Sequence, residues 1–126
     1  MKIQYDPNKT PIENMPIGMQ ATYSLWTDCQ PYEIVGHKGS NTILLRQMKA
    51  DLDPSFKPDW VPGGFAGVVR NNEDQKWILS SDSNAPITTL RISKKRAEAI
   101  IKYGEFRVNG CRWSFGKACK YRDYNF

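Results

Sequence analysis

The sequence predicts a mainly β protein of the α+β class, an antiparallel β-meander or small barrel-like sheet with one short helix at about 94–103. Three observations carry that prediction. From Ala21 onward, short runs rich in Val, Ile, Thr and aromatic residues are divided by clusters of Gly, Asn, Asp and Pro, the punctuation of successive strands. The pair Asn109-Gly110 separates two such runs, EFRV and CRWSF, and suits a type I′ hairpin turn, which needs positive φ at both central positions. A single segment, SKKRAEAIIKYG, breaks the two-residue period: Ala97, Ile100 and Ile101 fall at i, i+3 and i+4, a helical stripe.

Taken in order, residues 1–17 (MKIQYDPNKTPIENMPI) are polar and punctuated by proline, which predicts an extended N-terminal arm ahead of a β-rich body at 18–126. ATYSLW is the first strand. PYEIVGH, the turn KGSN and TILLRQM form a hairpin in which Ile34, Ile43 and Leu45 share one buried face. The connection DPSFKPDWVPGG carries three prolines, which fix φ and remove backbone donors, so it cannot be a central strand. It reads as a long, stiff surface loop that Phe56 and Trp60 pin to the body. Gly63-Gly64 then turn the chain into FAGVVR. A phosphate-binding P-loop would instead end in Gly-Lys-Ser/Thr and open a helix. NNED is a turn, and QKWILSS and PITTLRI continue the meander. Ser93 is the predicted cap of the helix and Gly104 its stop. Lys94, Lys95 and Arg96 occupy the first turn, where the helix dipole is already positive and acidic residues would be favourable by about 0.3–1 kcal/mol each. A bound anion would relieve that conflict; three solvated side chains tolerating a small penalty is the plainer reading.

A chain of 126 residues fits one domain, 1–126, able to bury a core without staples. No apolar run approaches the roughly 20 residues that span a bilayer, and the start lacks the apolar stretch of a secretory signal; the expectation is a soluble protein that stays in the compartment that made it. Cys29, Cys111 and Cys119 show no C-x-x-C spacing, and His37 is the sole histidine, so neither a zinc site nor a cofactor is expected. The net charge of +5 is unevenly divided: residues 91–126 hold ten Lys or Arg against three acids, and residues 1–90 eight against ten. The basic end suits an anionic partner such as a nucleotide, a nucleic acid or a phosphorylated small molecule, or else a solvated face that maintains solubility.

Catalytic signatures are missing. Asp28 beside Cys29 raises a thiol pKa instead of lowering it, His37 has no visible orienting partner, and Asp51 with Asp53 reads as turn chemistry before proline. No enzyme activity is expected. Binding chemistry is better supplied: Trp26, Trp60, Trp77, Trp113, Tyr121 and Tyr124 offer flat faces, and Arg91, Arg112, Lys117, Lys120 and Arg122 offer phosphate donors. Each aromatic also has a plainer use in a core.

The words IGMQATYSLWTDCQPYEIV, ADLDPSFKPDWVPGGF, DQKWILSSDSN and YRDYNF resemble a family of small phage and prophage proteins, some of them anti-Thoeris sponges. Those members sequester cyclic ADP-ribose messengers of bacterial immunity without cleaving them. The resemblance covers most of residues 5–126. It implies a β-rich homo-oligomer in the host bacterial cytoplasm, with no membrane partner, whose pockets at subunit interfaces hold a cyclic nucleotide messenger, a cyclic ADP-ribose isomer or a cyclic oligonucleotide. By motif position it assigns the aromatic role to Trp77, the amide role to Asn84 and phosphate contacts to Arg112 and Lys117, with the GMQAT backbone, including Met19 and Thr22, beside the pocket. Trp26 and Arg91 complete the expected ligand-binding set. DSNAP stands where relatives often have Asp-Pro-Asn-Gly, and Ala118 where they tend to have arginine, so the pocket is expected to suit a different nucleotide. Two rival functions use the same residues: a module for single-stranded nucleic acid, and a phage protein acting by protein contact.

Overall fold

The computed structural model describes residues 6–62 and 67–122. The Gly63-Gly64 turn, the first residues of FAGVVR, the first five residues of the arm and the terminal stretch with Tyr124 lie outside the described residues.

The elements are α1 (Pro11–Asn14), β1 (Gln20–Ser24), β2 (Cys29–Lys38), β3 (Thr42–Gln47), β4 (Lys49–Leu52), β5 (Trp60–Val61), β6 (Val68–Val69), β7 (Trp77–Ser80), β8 (Ile87–Arg91), α2 (Lys94–Tyr103), β9 (Glu105–Val108) and β10 (Cys111–Phe115), with a 3-10 turn at Asn72–Asp74. The protein is mainly β, and its principal sheet is a curled antiparallel half-barrel of six strands in the order β8-β3-β2-β1-β10-β9. This is a meander only at its centre. Both of its flanks come from the C-terminal half, because β8 pairs with β3 and β10 with β1.

Between β3 and β8 the chain makes an excursion with two small ladders, β4 with β7 and β5 with β6. The proline-rich connection lies here, with Phe56 buried and Trp60 exposed. Its prolines withhold the donors a central strand requires, and it contributes only the two-residue strand β5. Asp59 pairs with Arg70 at 2.6 Å across that ladder.

The core follows from strand alternation. Ile34 faces Leu45 across β2 and β3, and both side chains are shut from solvent together with Ile43, Ile92 and Ile100. Full burial of each aliphatic group contributes about 1.5–3 kcal/mol. Helix α2 reaches this core through Ile100 and packs beside Phe106 of β9. Ser93 accepts from the Arg96 N–H at 3.3 Å, and Gly104 ends the helix at φ +73°, its N–H donating to the Ile100 carbonyl. The β9–β10 hairpin turns through Asn109 at φ +51° and Gly110 at φ +83°, the two left-handed positions that an Asn-Gly pair supplies.

The expected extended arm departs from extension within its described part. Thr10 caps α1 by accepting from the Glu13 N–H, and Pro11 sits in the first turn, where its missing donor costs nothing. Asn14, itself buried, donates to the carbonyls of Asp6 and Thr10 and accepts the Asp6 N–H at 2.7 Å. Met15 is fully buried, and His37 Nε2 donates to its carbonyl at 2.7 Å. The arm is therefore clamped onto β2.

Candidate functional site

The two-residue turn of the β9–β10 hairpin sets Val108 opposite Cys111 and Arg107 opposite Arg112. The next pair, Phe106 and Trp113, is buried, so alternation sends both arginines to the other face. Like charges directly opposite one another destabilise a sheet. Glu105, two residues before Arg107 and on the same face, brings its Oε2 to 3.4 Å from Arg112 Nε. That approach is an ion pair without a hydrogen bond, and Arg112 Nε is buried with no hydrogen-bond partner among the described residues.

Across from the hairpin, α2 supplies the other wall. The Arg96 guanidinium lies 4.9 Å from the centre of the Phe106 ring, and its Nη1 donates to the Arg91 carbonyl at 2.8 Å. Lys95 stands beside it, and Tyr103 closes the far end of the helix, two-thirds exposed. The resulting cleft has a volume of about 760 Å³ and, among the described residues, holds four cations, Lys95, Arg96, Arg107 and Arg112, against one carboxylate, Glu105. A shallower recess of about 250 Å³ continues from the same two hairpin arginines to Trp26 in the β1–β2 turn, where the indole is 95% exposed.

The eight residues expected from sequence do not form one constellation. Arg112 lines the cleft and Trp26 its continuation. Arg91 ends β8 and enters through its backbone, as the acceptor that positions Arg96. Thr22 is buried and donates its hydroxyl to the Lys117 carbonyl at 2.7 Å, while the Lys117 residue is exposed. Met19 packs against the core. Asn84 is exposed in the turn before β8, its N–H bound to Asp82. Trp77 lies on β7, its Nε1 donating to Gln75 Oε1 at 2.9 Å and its ring 5.5 Å from Lys120 Nζ, and Gln75 donates in turn to the Arg122 carbonyl. Trp113 is a core residue, its ring tilted against Tyr23 with centroids 4.7 Å apart and set edge-on to Tyr32 at 4.9 Å.

Lys95, Arg96, Tyr103, Glu105 and Arg107 were absent from that expected set. The first turn of α2 had been marked by its inverted charge. The facing arginines were also accessible to reasoning, since a two-residue Asn-Gly turn dictates the 107–112 pairing. Among the described residues no group of three His, Cys, Asp or Glu is placed to hold a metal ion, and no helix is long and apolar enough to cross a membrane. Comparison with protein-family models, curated proteins and solved structures finds no match to this chain.

Proposed function

We propose that the protein binds a cyclic nucleotide messenger of the cyclic ADP-ribose type in the cleft between α2 and the β9–β10 hairpin, and sequesters it without cleavage. The observation that carries this reading is the facing pair Arg107 and Arg112 lining one cleft with Lys95 and Arg96. A diphosphate bridges such a site, with charge-assisted hydrogen bonds from planar guanidinium groups. Tyr103 at the rim is available to stack on a base, a contact worth about 1–3 kcal/mol. The lining supports holding over hydrolysis. Its one carboxylate is paired with Arg112, and the Ser93 hydroxyl is spent on the helix cap.

This reading extends to a phage-encoded sponge acting in the host cytoplasm as a homo-oligomer whose copies enclose the ligand. Calorimetric titration with cyclic ADP-ribose isomers tests it: the native protein saturates, Arg112→Gln loses at least ten-fold in affinity, and ligand released on denaturation has its original mass. Recovery of linear ADP-ribose would overturn the sponge.

A second reading has its own observation. The exposed Trp26 prolongs the basic track beyond the cleft, which suits single-stranded nucleic acid. Affinity for an oligonucleotide that rises with length and falls steeply with salt, with no saturation by any cyclic nucleotide, selects that alternative.

A further inference from the structure

We infer that Glu105 is a built-in competing anion, a carboxylate that occupies the charge of Arg112 in the free protein and must give way before a ligand phosphate can bind. The inference rests on the reading of this cleft as an anion site. Arg112 has two neighbours of consequence on its face of the hairpin: Arg107 directly opposite, which repels it, and Glu105, whose Oε2 stands 3.4 Å from Nε. The carboxylate neutralises charge without satisfying the donor, since Arg112 Nε remains buried and unbonded. A phosphate oxygen placed between the two guanidinium groups would supply both the charge and the missing acceptor. Glu105 then faces the incoming anion as a like charge and has to swing outward. With about a third of its side chain exposed, it has open solvent to move into.

Glu105 thereby sets a threshold of charge. A singly charged carboxylate or sulfonate exchanges one anion for another on Arg112 and gains little. A diphosphate brings more charge than it displaces and engages the Lys95 and Arg96 wall as well. The residue thus weakens binding of every anion that must displace it by a common factor, and only a ligand with further charge for Lys95 and Arg96 offsets that loss. Exposed pairs of this kind are modest, which puts that factor at no more than about five.

The test uses inorganic pyrophosphate, so that its outcome does not depend on the identity of any messenger. Calorimetry on the native protein and on Glu105→Gln, which keeps shape and removes charge, is expected to show about two- to five-fold tighter binding to the variant. Its ligand-free melting temperature falls, because the two arginines are left facing each other, and pyrophosphate restores it. A second measurement needs no variant: in the native protein, the Arg112 Nε and Glu105 carboxyl NMR resonances should move together as pyrophosphate is added. Equal or weaker binding by Glu105→Gln, or an Arg112 response with a stationary Glu105 signal, overturns the inference while leaving the cleft as a binding site. Absence of pyrophosphate binding to either protein overturns both. Tight pyrophosphate binding by Glu105→Gln, with no nucleotide bound by any form, supports the competing anion and removes the messenger.

Discussion

Asp53 shows how a single side chain sets a local pH dependence. Its Oδ1 accepts the Ser55 N–H at 2.9 Å, and that backbone hydrogen bond, aided by the Ser55 hydroxyl and the charge of Lys76, holds its pKa below the usual value of 3.8. A carboxylate depressed on folding contributes stability that is fully present above its unfolded pKa and is lost as pH falls through the folded one. Asp53→Asn should therefore lower stability at neutral pH by that contribution and flatten the acid limb below about pH 4, so that variant and native converge in acid; urea denaturation across that range reads the difference. Cys119 shifts the other way. Burial first, then the neighbouring Cys29, raises its thiol pKa against the lowering effect of Lys117. Its alkylation at pH 8 should be slower than that of free cysteine, measured by mass spectrometry of the 119-containing peptide, and an accelerated reaction would contradict this environment.

At the scale of elements, α2 and the arm make contrasting cases. The helix has an explicit start and stop, a serine cap and a glycine at φ +73°, and both were legible because capping is a local event. Ser93→Ala should cost about 1 kcal/mol through the lost cap, and Gly104→Ala about 1–2 kcal/mol, since a Cβ disfavours the left-handed conformation. Either loss is read from the midpoint of chemical denaturation. The arm was illegible as an ordered element because its order comes from partners far along the chain: Met15 is covered by the body, and His37 of β2 binds its carbonyl. Composition reports polar residues and prolines but not the cover they receive. Met15→Ala should accordingly destabilise by about 2–5 kcal/mol, as a core deletion does, whereas truncation of a solvated arm would leave the midpoint unmoved.

Across the whole molecule, the class of fold was readable from strand punctuation, the Asn-Gly turn and the isolated helical stripe. The strand order was not, because pairing β8 with β3 and β10 with β1 is decided by which apolar faces meet after residues 48–86 leave the sheet. The site divides the same way. Arg112 and Trp26 were found by residue type, but Trp77 and Thr22 had the right chemistry and are engaged within the fold, while the facing of Arg107 and Arg112 follows from the Asn-Gly turn and their meeting with the first turn of α2 does not. The central claim is that this register, set against the basic first turn of α2, builds a nucleotide site. Native mass spectrometry tests it most directly, on the purified chain and an Arg107→Gln/Arg112→Gln variant, each with a panel of cyclic ADP-ribose isomers, cyclic dinucleotides and cyclic trinucleotides. The account predicts a discrete mass increment for cyclic ADP-ribose isomers on the native protein, released unmodified and lost in the variant with its fold intact. No adduct across the panel, or an adduct that the variant retains in full, would contradict it.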